Sequence, residues 1–240
     1  MPIVFYHNLI AEPPDPFDQF CRIHVDAFAR EITDLAEHCH PVSLPALLAQ
    51  LDAGQSDPRA VAITFDDACY GVYEHAFPLL ERLGIPATVF VITGTLDSPK
   101  RLLHNDEIEM AFRTSRIGEL PPETPGGPTY PLTTLGERME AMRQHKRRMK
   151  VLPEAERALV HSALLERLEV TSESCWAAAQ GEARFRLMAP RHLRALRDAG
   201  WTLGSHTRSH RTLSCLDEQD LHREVHGSLA DMQRDFGVAE

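Results

Sequence analysis

The 240-residue sequence predicts an α/β fold on parallel strands, either one α/β barrel or two smaller domains. Three observations carry that prediction. Residues 61–65, a helical stretch with Ala76, Leu79, Leu80 and Leu83 on one face, and residues 87–92 read as strand, helix and strand with short links. Such a βαβ unit runs its strands parallel and places its helix outside. The first of these strands ends in two adjacent carboxylates, Asp66 and Asp67. A second apolar run, Trp201-Thr202-Leu203, leads into Gly204-Ser205-His206-Thr207-Arg208-Ser209-His210, with two imidazoles four residues apart.

The remaining elements follow in order. Ile3–Tyr6 reads as a strand ending at His7-Asn8, and residues 12–16 as a Pro- and Asp-rich loop. Phe28, Ile32 and Leu35 recur at helical spacing with Asp26 as N-cap, and Ser43 caps a second helix carrying Leu44, Leu47, Leu48 and Leu51 up to a turn at Gly54. Gly84 closes the helix of the βαβ unit. From about 99 to 187 the rhythm breaks: a helix over 104–113, a Pro/Gly-rich loop over 120–131, and two amphipathic helices over 135–150 and 154–168. This region reads as a helical insertion, with Met139, Met142, Leu159, Leu164 and Leu168 facing its core. The βα rhythm resumes at Met188. Leu193, Leu196 and Ala199 line a helix stopped by Gly200, then come the strand 201–204 and a last helix with Leu221, Val225, Leu229 and Met232 at helical spacing.

Composition excludes several classes. With 25 basic and 35 acidic residues the formal net charge is −10, against the positive footprint that sequence-independent nucleic-acid binding needs. The basic run 143–150 reads as a solvated helix face. Five scattered cysteines form no disulfide framework and point to a reducing compartment. Neither a signal peptide nor a membrane span is legible, so the expected location is cytoplasmic, or extracytoplasmic had a leader been removed.

Paired acids at the end of a buried strand repel each other and resist desolvation. A metal resolves this: one carboxylate ligates it and the other, still ionised, handles protons. One carboxylate with two histidines suits zinc or iron with positions open to water. Three strands end in chemistry, at His7, at Asp66-Asp67 and at Ser205-His206, and in parallel barrels such ends share one mouth. His222 and His226 repeat the spacing of His206 and His210 but read as exposed, and His38, Cys39 and His40 as a helix end.

Thr64-Phe65-Asp66-Asp67 and His206-Thr207-Arg208-Ser209-His210, with flanks such as Gly84-Ile85-Pro86-Ala87-Thr88-Val89-Phe90, resemble the first two motifs of the polysaccharide deacetylase family. Tyr6-His7 resembles the branch that deacetylates poly-N-acetylglucosamine. The resemblance covers residues 1–91 and 188–237. It implies a metal-dependent carbohydrate N-deacetylase on a distorted, partly open (β/α) barrel, one domain over 1–240 with the insertion at about 99–187. Asp67, His206 and His210 would hold Zn²⁺ or a similar divalent ion (Co²⁺, Ni²⁺ or Fe²⁺), Asp66 would be the general base and His7 the acid. An N-acetylated carbohydrate is the implied partner. Two departures stand out. Ala68 replaces the family's glycine and is expected in an ordinary backbone conformation. The family's later strands are expected to be missing from the C-terminal end, which leaves a non-catalytic glycan-binding domain or an inactive fragment as the alternative. A non-haem iron oxygenase would use the same ligand types, but on antiparallel strands that the βαβ rhythm opposes.

Overall fold

The computed structural model describes every residue except 1, 14, 18–20, 56, 98–101, 125 and 239–240. Pro14 of the expected loop and Pro99 at the head of the expected insertion thus lie outside the described residues. The chain divides into two compact units: Met1–Pro99 with Arg186–His210 and His222–Glu240, and Lys100–Phe185 with Arg211–Leu221.

The first unit is built on a parallel sheet. Ala60–Phe65 is its centre, pairing with Ile3–Tyr6 and the short His40–Pro41 strand, and with Ala87–Val91. Thr202–Ser205 then adds to Ala87–Val91, so the path is the 3–6, 60–65, 87–91 and 202–205 strands. Every residue of Ala60–Phe65 is buried, as a strand covered on both faces must be. Its alternation divides two cores: Ile63 and Phe65 pack with Tyr6, Phe28, Val89 and Trp201, while Ala60 and Ala62 pack with Leu47. Stacking of Phe65 between Tyr6 and Trp201, with ring centroids 5.7 Å apart on each side, ties two strands and the residue that leads into the 202–205 strand into one aromatic column.

Several expectations need correction. His24, not Asp26, caps the helix Val25–His38: its Nδ1 accepts from the Asp26 N–H at 3.3 Å. Short parallel strands at Asn8–Ile10 and Arg22–His24 bracket what read as loop. The βαβ helix is not regular throughout, since Val72–Ala76 is a π-turn leading into the α-helix Phe77–Leu83. Leu83 and Leu221 are exposed, as is Ala199. Gly84 does close its helix, in a left-handed conformation with φ 66°.

In the second unit, helices run over His104–Thr114, Leu135–Met149, Glu154–Arg167 and Ser172–Ala179, the last not foreseen from sequence. The 120–131 loop is closed at its base by an antiparallel pair, Glu119–Leu120 with Tyr130–Pro131. Met142, Leu164 and Leu168 are buried as expected, Met139 is partly buried, and Leu159 is 72% exposed. Arg138 pins the unit by donating to the carbonyls of Phe112, Ser115 and Ile117. Burial pushes the imidazoles of His104 and His145 down to about 3 and about 4, so both are neutral near neutral pH. Among the described residues no helix is long and apolar enough to cross a membrane.

Candidate metal centre and its cradle

The carboxyl ends of neighbouring parallel strands lie side by side, and three of them carry the chemistry of the first unit. The Asp66 N–H donates to the Tyr6 carbonyl at 2.9 Å, which extends the pairing of the 3–6 and 60–65 strands by one residue. The His206 N–H does the same to the Val91 carbonyl at 2.8 Å. His7, Asp66-Asp67 and His206 therefore leave the sheet on one rim.

On that rim Asp67 Oδ1 lies 3.5 Å from His206 Nε2 and 3.5 Å from His210 Nε2. One donor atom from each of the three residues falls within 4.8 Å of the others. His7 and Asp66 stand beside them, with His7 Nε2 3.9 Å from Asp66 Oδ2, beyond hydrogen-bonding range. All five residues that the sequence singled out thus lie together on this rim. His222 and His226 are exposed and outside it.

The three donors suit a divalent cation. Asp67 is 7% exposed, and its buried Oδ1 has no hydrogen-bond partner, an arrangement costly for a carboxylate unless a cation completes it. Two ligands each about 2.0–2.1 Å from a tetrahedral ion stand about 3.3–3.4 Å apart, close to the separations found. Burial holds the His210 imidazole below its usual range while the Asp67 carboxylate opposes that shift, and a neutral imidazole is the form that ligates.

Backbone strain collects here. Of five non-glycine residues with positive φ among the described residues, four are at this site: Asp67 (68°), Ala68 (51°), Thr207 (66°) and His210 (58°). Left-handed conformations at residues bearing a Cβ cost about 1–2 kcal/mol each and persist where surroundings enforce them. Ala68 therefore does not take the ordinary conformation expected of it. It keeps the left-handed geometry open to glycine, held by the Met188 N–H donating to its carbonyl at 2.8 Å.

The segment from Thr207 to His210 is gripped from two sides. The Thr93 and Gly94 N–H groups donate to the carbonyls of Thr207 and Arg208 at 3.1 and 2.7 Å. A Cβ on Gly94 would sit 2.5 Å from the Arg208 carbonyl oxygen, so only glycine allows this approach. From the other side comes the helix Glu218–Phe236, whose buried face was read from sequence as apolar. Instead it carries Glu224, Ser228 and Asp231, followed by Met232 and Phe236. Glu224 accepts from the Arg208 and Ser209 N–H groups, Ser228 Oγ meets Ser205 Oγ at 2.6 Å, and Asp231 accepts from Thr93 Oγ1 at 2.9 Å and pairs with Arg208 Nε at 3.2 Å. The signal for them in the sequence is three polar residues at i, i+4 and i+7, a helical stripe as regular as that of Leu221, Val225, Leu229 and Met232.

A parallel α/β sheet with a carboxylate–imidazole cluster on its carboxyl rim is an α/β fold with a candidate metal site. Comparison with known proteins narrows this. The family model for polysaccharide deacetylase matches residues 53–118, which include Asp66 and Asp67 and stop before His206. The poly-beta-1,6-N-acetyl-D-glucosamine N-deacetylase of Staphylococcus aureus is 42% identical over 53 residues, 22% of this chain and 18% of that protein. Its counterpart in Staphylococcus epidermidis is 31% identical over 77 residues, 30% of this chain and 27% of that protein. These matches make the chain similar to the polysaccharide deacetylase family over the stretch that carries Asp66 and Asp67. It aligns with less than a third of the length of either relative. Among solved structures, Streptococcus pyogenes deacetylase PplD in complex with acetate superposes with a TM-score of 0.58 at 14% identity, covering 100% of this chain and 70% of that one. IcaB from Ammonifex degensii gives a TM-score of 0.51 at 15% identity, covering 98% and 70%. The fold is accordingly the (β/α) barrel of these enzymes, with the described sheet open rather than closed.

Proposed function

We propose that the chain is a single polysaccharide deacetylase domain that hydrolyses N-acetyl groups from amino-sugar polymers or glycans, with the helical insertion at about 99–187. The observation that carries the reading is the unpartnered Asp67 Oδ1 facing two imidazoles on the strand-end rim, next to a second carboxylate. The staphylococcal relatives, whose names specify poly-β-1,6-N-acetylglucosamine, make an N-acetylglucosamine polymer the favoured substrate.

Asp67, His206 and His210 would hold the ion, with Zn²⁺ the favoured identity. When bound, a divalent ion supplies Lewis acidity to an amide carbonyl and lowers the pKa of a water from 15.7 to about 7. Asp66 contributes the base. Its side chain is 20% exposed, reachable by water yet sheltered, and it takes the proton from the water that adds to the acetamide carbon. The C–N bond then breaks toward acetate and an amine, and the amine nitrogen needs a proton to leave. His7, whose Nε2 faces Asp66, is the group assigned to deliver it. The two partners of the 3.9 Å pair thus take and give one proton each per turnover.

Role separation gives the test. Asp67→Asn should lose the zinc that survives dialysis. Asp66→Asn should keep it and lose about 10²–10⁴-fold in acetate release. Equal zinc loss in both variants would sink the assignment of separate roles.

A further inference from the structure

We propose that Glu224 is the positioning residue for the imidazole pair, acting through the backbone between the two histidines rather than through either ring. The inference rests on reading His206 and His210 as ligands. Glu224 is 4% exposed, and a carboxylate so deeply buried requires donors. It takes them all from the two residues in the middle of the ligand segment. Its Oε2 accepts the Arg208 N–H at 3.1 Å and the Ser209 N–H at 2.8 Å, and its Oε1 accepts the Ser209 hydroxyl.

The flanking backbone explains why such an anchor is needed. Thr207 and His210 are both left-handed, with φ of 66° and 58°, and the residues between them turn two successive N–H groups the same way. Consecutive N–H groups in such a turn form a concavity that an anion fills. Here the anion is the chain's own carboxylate, carried on a helix, so the turn is closed without a ligand. Two N–H groups converging on one side-chain oxygen, with a hydroxyl on the other, fix the direction of the peptide by reach, and that convergence holds two strained residues in register. Because His206 is fixed to the sheet through its N–H to the Val91 carbonyl, the angle of the 208–209 peptide sets where His210 Nε2 falls relative to His206 Nε2. Glu224 therefore governs the spacing of the two imidazoles while touching neither.

Two substitutions separate reach from charge. Glu224→Asp keeps the charge but shortens the side chain by one C–C bond, about 1.5 Å, so it cannot span the distance to both N–H groups. Glu224→Gln keeps the reach and an oxygen for the N–H pair, and its amide nitrogen can donate to Ser209 Oγ. The probe is Co²⁺ alone, titrated into the whole metal-stripped chain and followed by its visible absorption. Apo melting temperature and the Co²⁺-induced rise are measured alongside. Glu224→Asp is expected to weaken Co²⁺ binding about 10–100-fold, the effect of losing a partner that orients a ligand, whereas Glu224→Gln stays within about threefold of the parent on that scale. The reverse order would mean that Glu224 acts as a charge near the ion, and would overturn the proposal. A lowered apo melting temperature with an unchanged Co²⁺-induced rise in Glu224→Asp would show a merely structural role and would also overturn it. If the parent fails to bind Co²⁺, or Asp67→Ala binds it as tightly as the parent, the ligand assignment itself falls, and with it this inference.

Discussion

Asp231→Ala is the sharpest structural test of how the cradle works. Asp231 is 5% exposed and joins three groups: the Thr93 hydroxyl at 2.9 Å, Arg208 Nε at 3.2 Å and Arg234 Nη1 at 2.8 Å. The two guanidinium groups are about half exposed, at 51% and 53%, so water replaces the carboxylate and neither pair decides the outcome. Thr93 is 1% exposed and has no such recourse. Leaving its hydroxyl unpaired costs about 1–3 kcal/mol. Asp231→Ala is therefore expected to cost about 1–3 kcal/mol, most of it from Thr93. Thr93→Val removes the donor instead and should cost about 0.5–1.5 kcal/mol, with the Thr93 N–H bond to Thr207 unaffected. The double variant must then be less damaged than the two singles added together, by about 1 kcal/mol. Urea unfolding of the four proteins reads this directly. Additivity within about 0.5 kcal/mol, or a loss below that figure for Asp231→Ala, would refute the idea that a buried hydroxyl–carboxylate staple joins the last helix to the strand end.

Other expectations follow from the same geometry. His7→Gln should leave zinc retention at the parent level while acetate release drops about 10²–10⁴-fold; loss of zinc in this variant would place His7 among the ligands instead. Gly94→Ala forces a Cβ against a backbone oxygen and should destabilise the fold by about 1–3 kcal/mol while loosening zinc retention, checked by unfolding and by metal content after dialysis. The second unit should lose stability in mild acid. His104 and His145 hold fewer protons folded than unfolded below the ordinary 6.5, so their contribution is complete above that pH and is lost as pH falls toward about 4 for His145 and about 3 for His104. The slope is at most about 1.4 kcal/mol per pH unit for each group. Replacing both by Gln should flatten the pH dependence of unfolding between pH 6 and 4 relative to the parent, and an unchanged slope would assign the acid sensitivity elsewhere.

Much of the architecture is legible because burial on both faces leaves a long apolar run. Residues 61–65 and 87–92 could only be interior parallel strands, and the residues that end them could only lie on the rim. That reasoning also brings the Asp66-Asp67 pair to one rim with His206 and His210, which lie 139 and 143 positions beyond Asp67, while the choice of Asp67 over Asp66 as ligand rests on the family resemblance. Where strands are three residues long, as at Asn8–Ile10 and Arg22–His24, periodicity has nothing to work on. The last helix failed differently. Leu221, Val225, Leu229 and Met232 satisfy the helical period, and of these Met232 is buried, yet the inward face also holds Glu224, Ser228 and Asp231, because the adjoining strained loop presents N–H and hydroxyl donors that apolar side chains would leave unsatisfied. Ala68 shows the same limit on single-residue reasoning. Its side chain argued for an ordinary conformation, and the fixed positions of Asp67 and Met188 on either side of it impose a left-handed one.

One carboxylate and two imidazoles on the strand-end rim are proposed to make residues 1–240 a zinc-dependent N-deacetylase. The most direct measurement is acetate release from a defined N-acetylglucosamine oligomer by metal-stripped protein, before and after zinc is restored. Release should appear with zinc, saturate near one equivalent and be absent in Asp67→Asn. Zinc bound at one equivalent with no acetate released would contradict it.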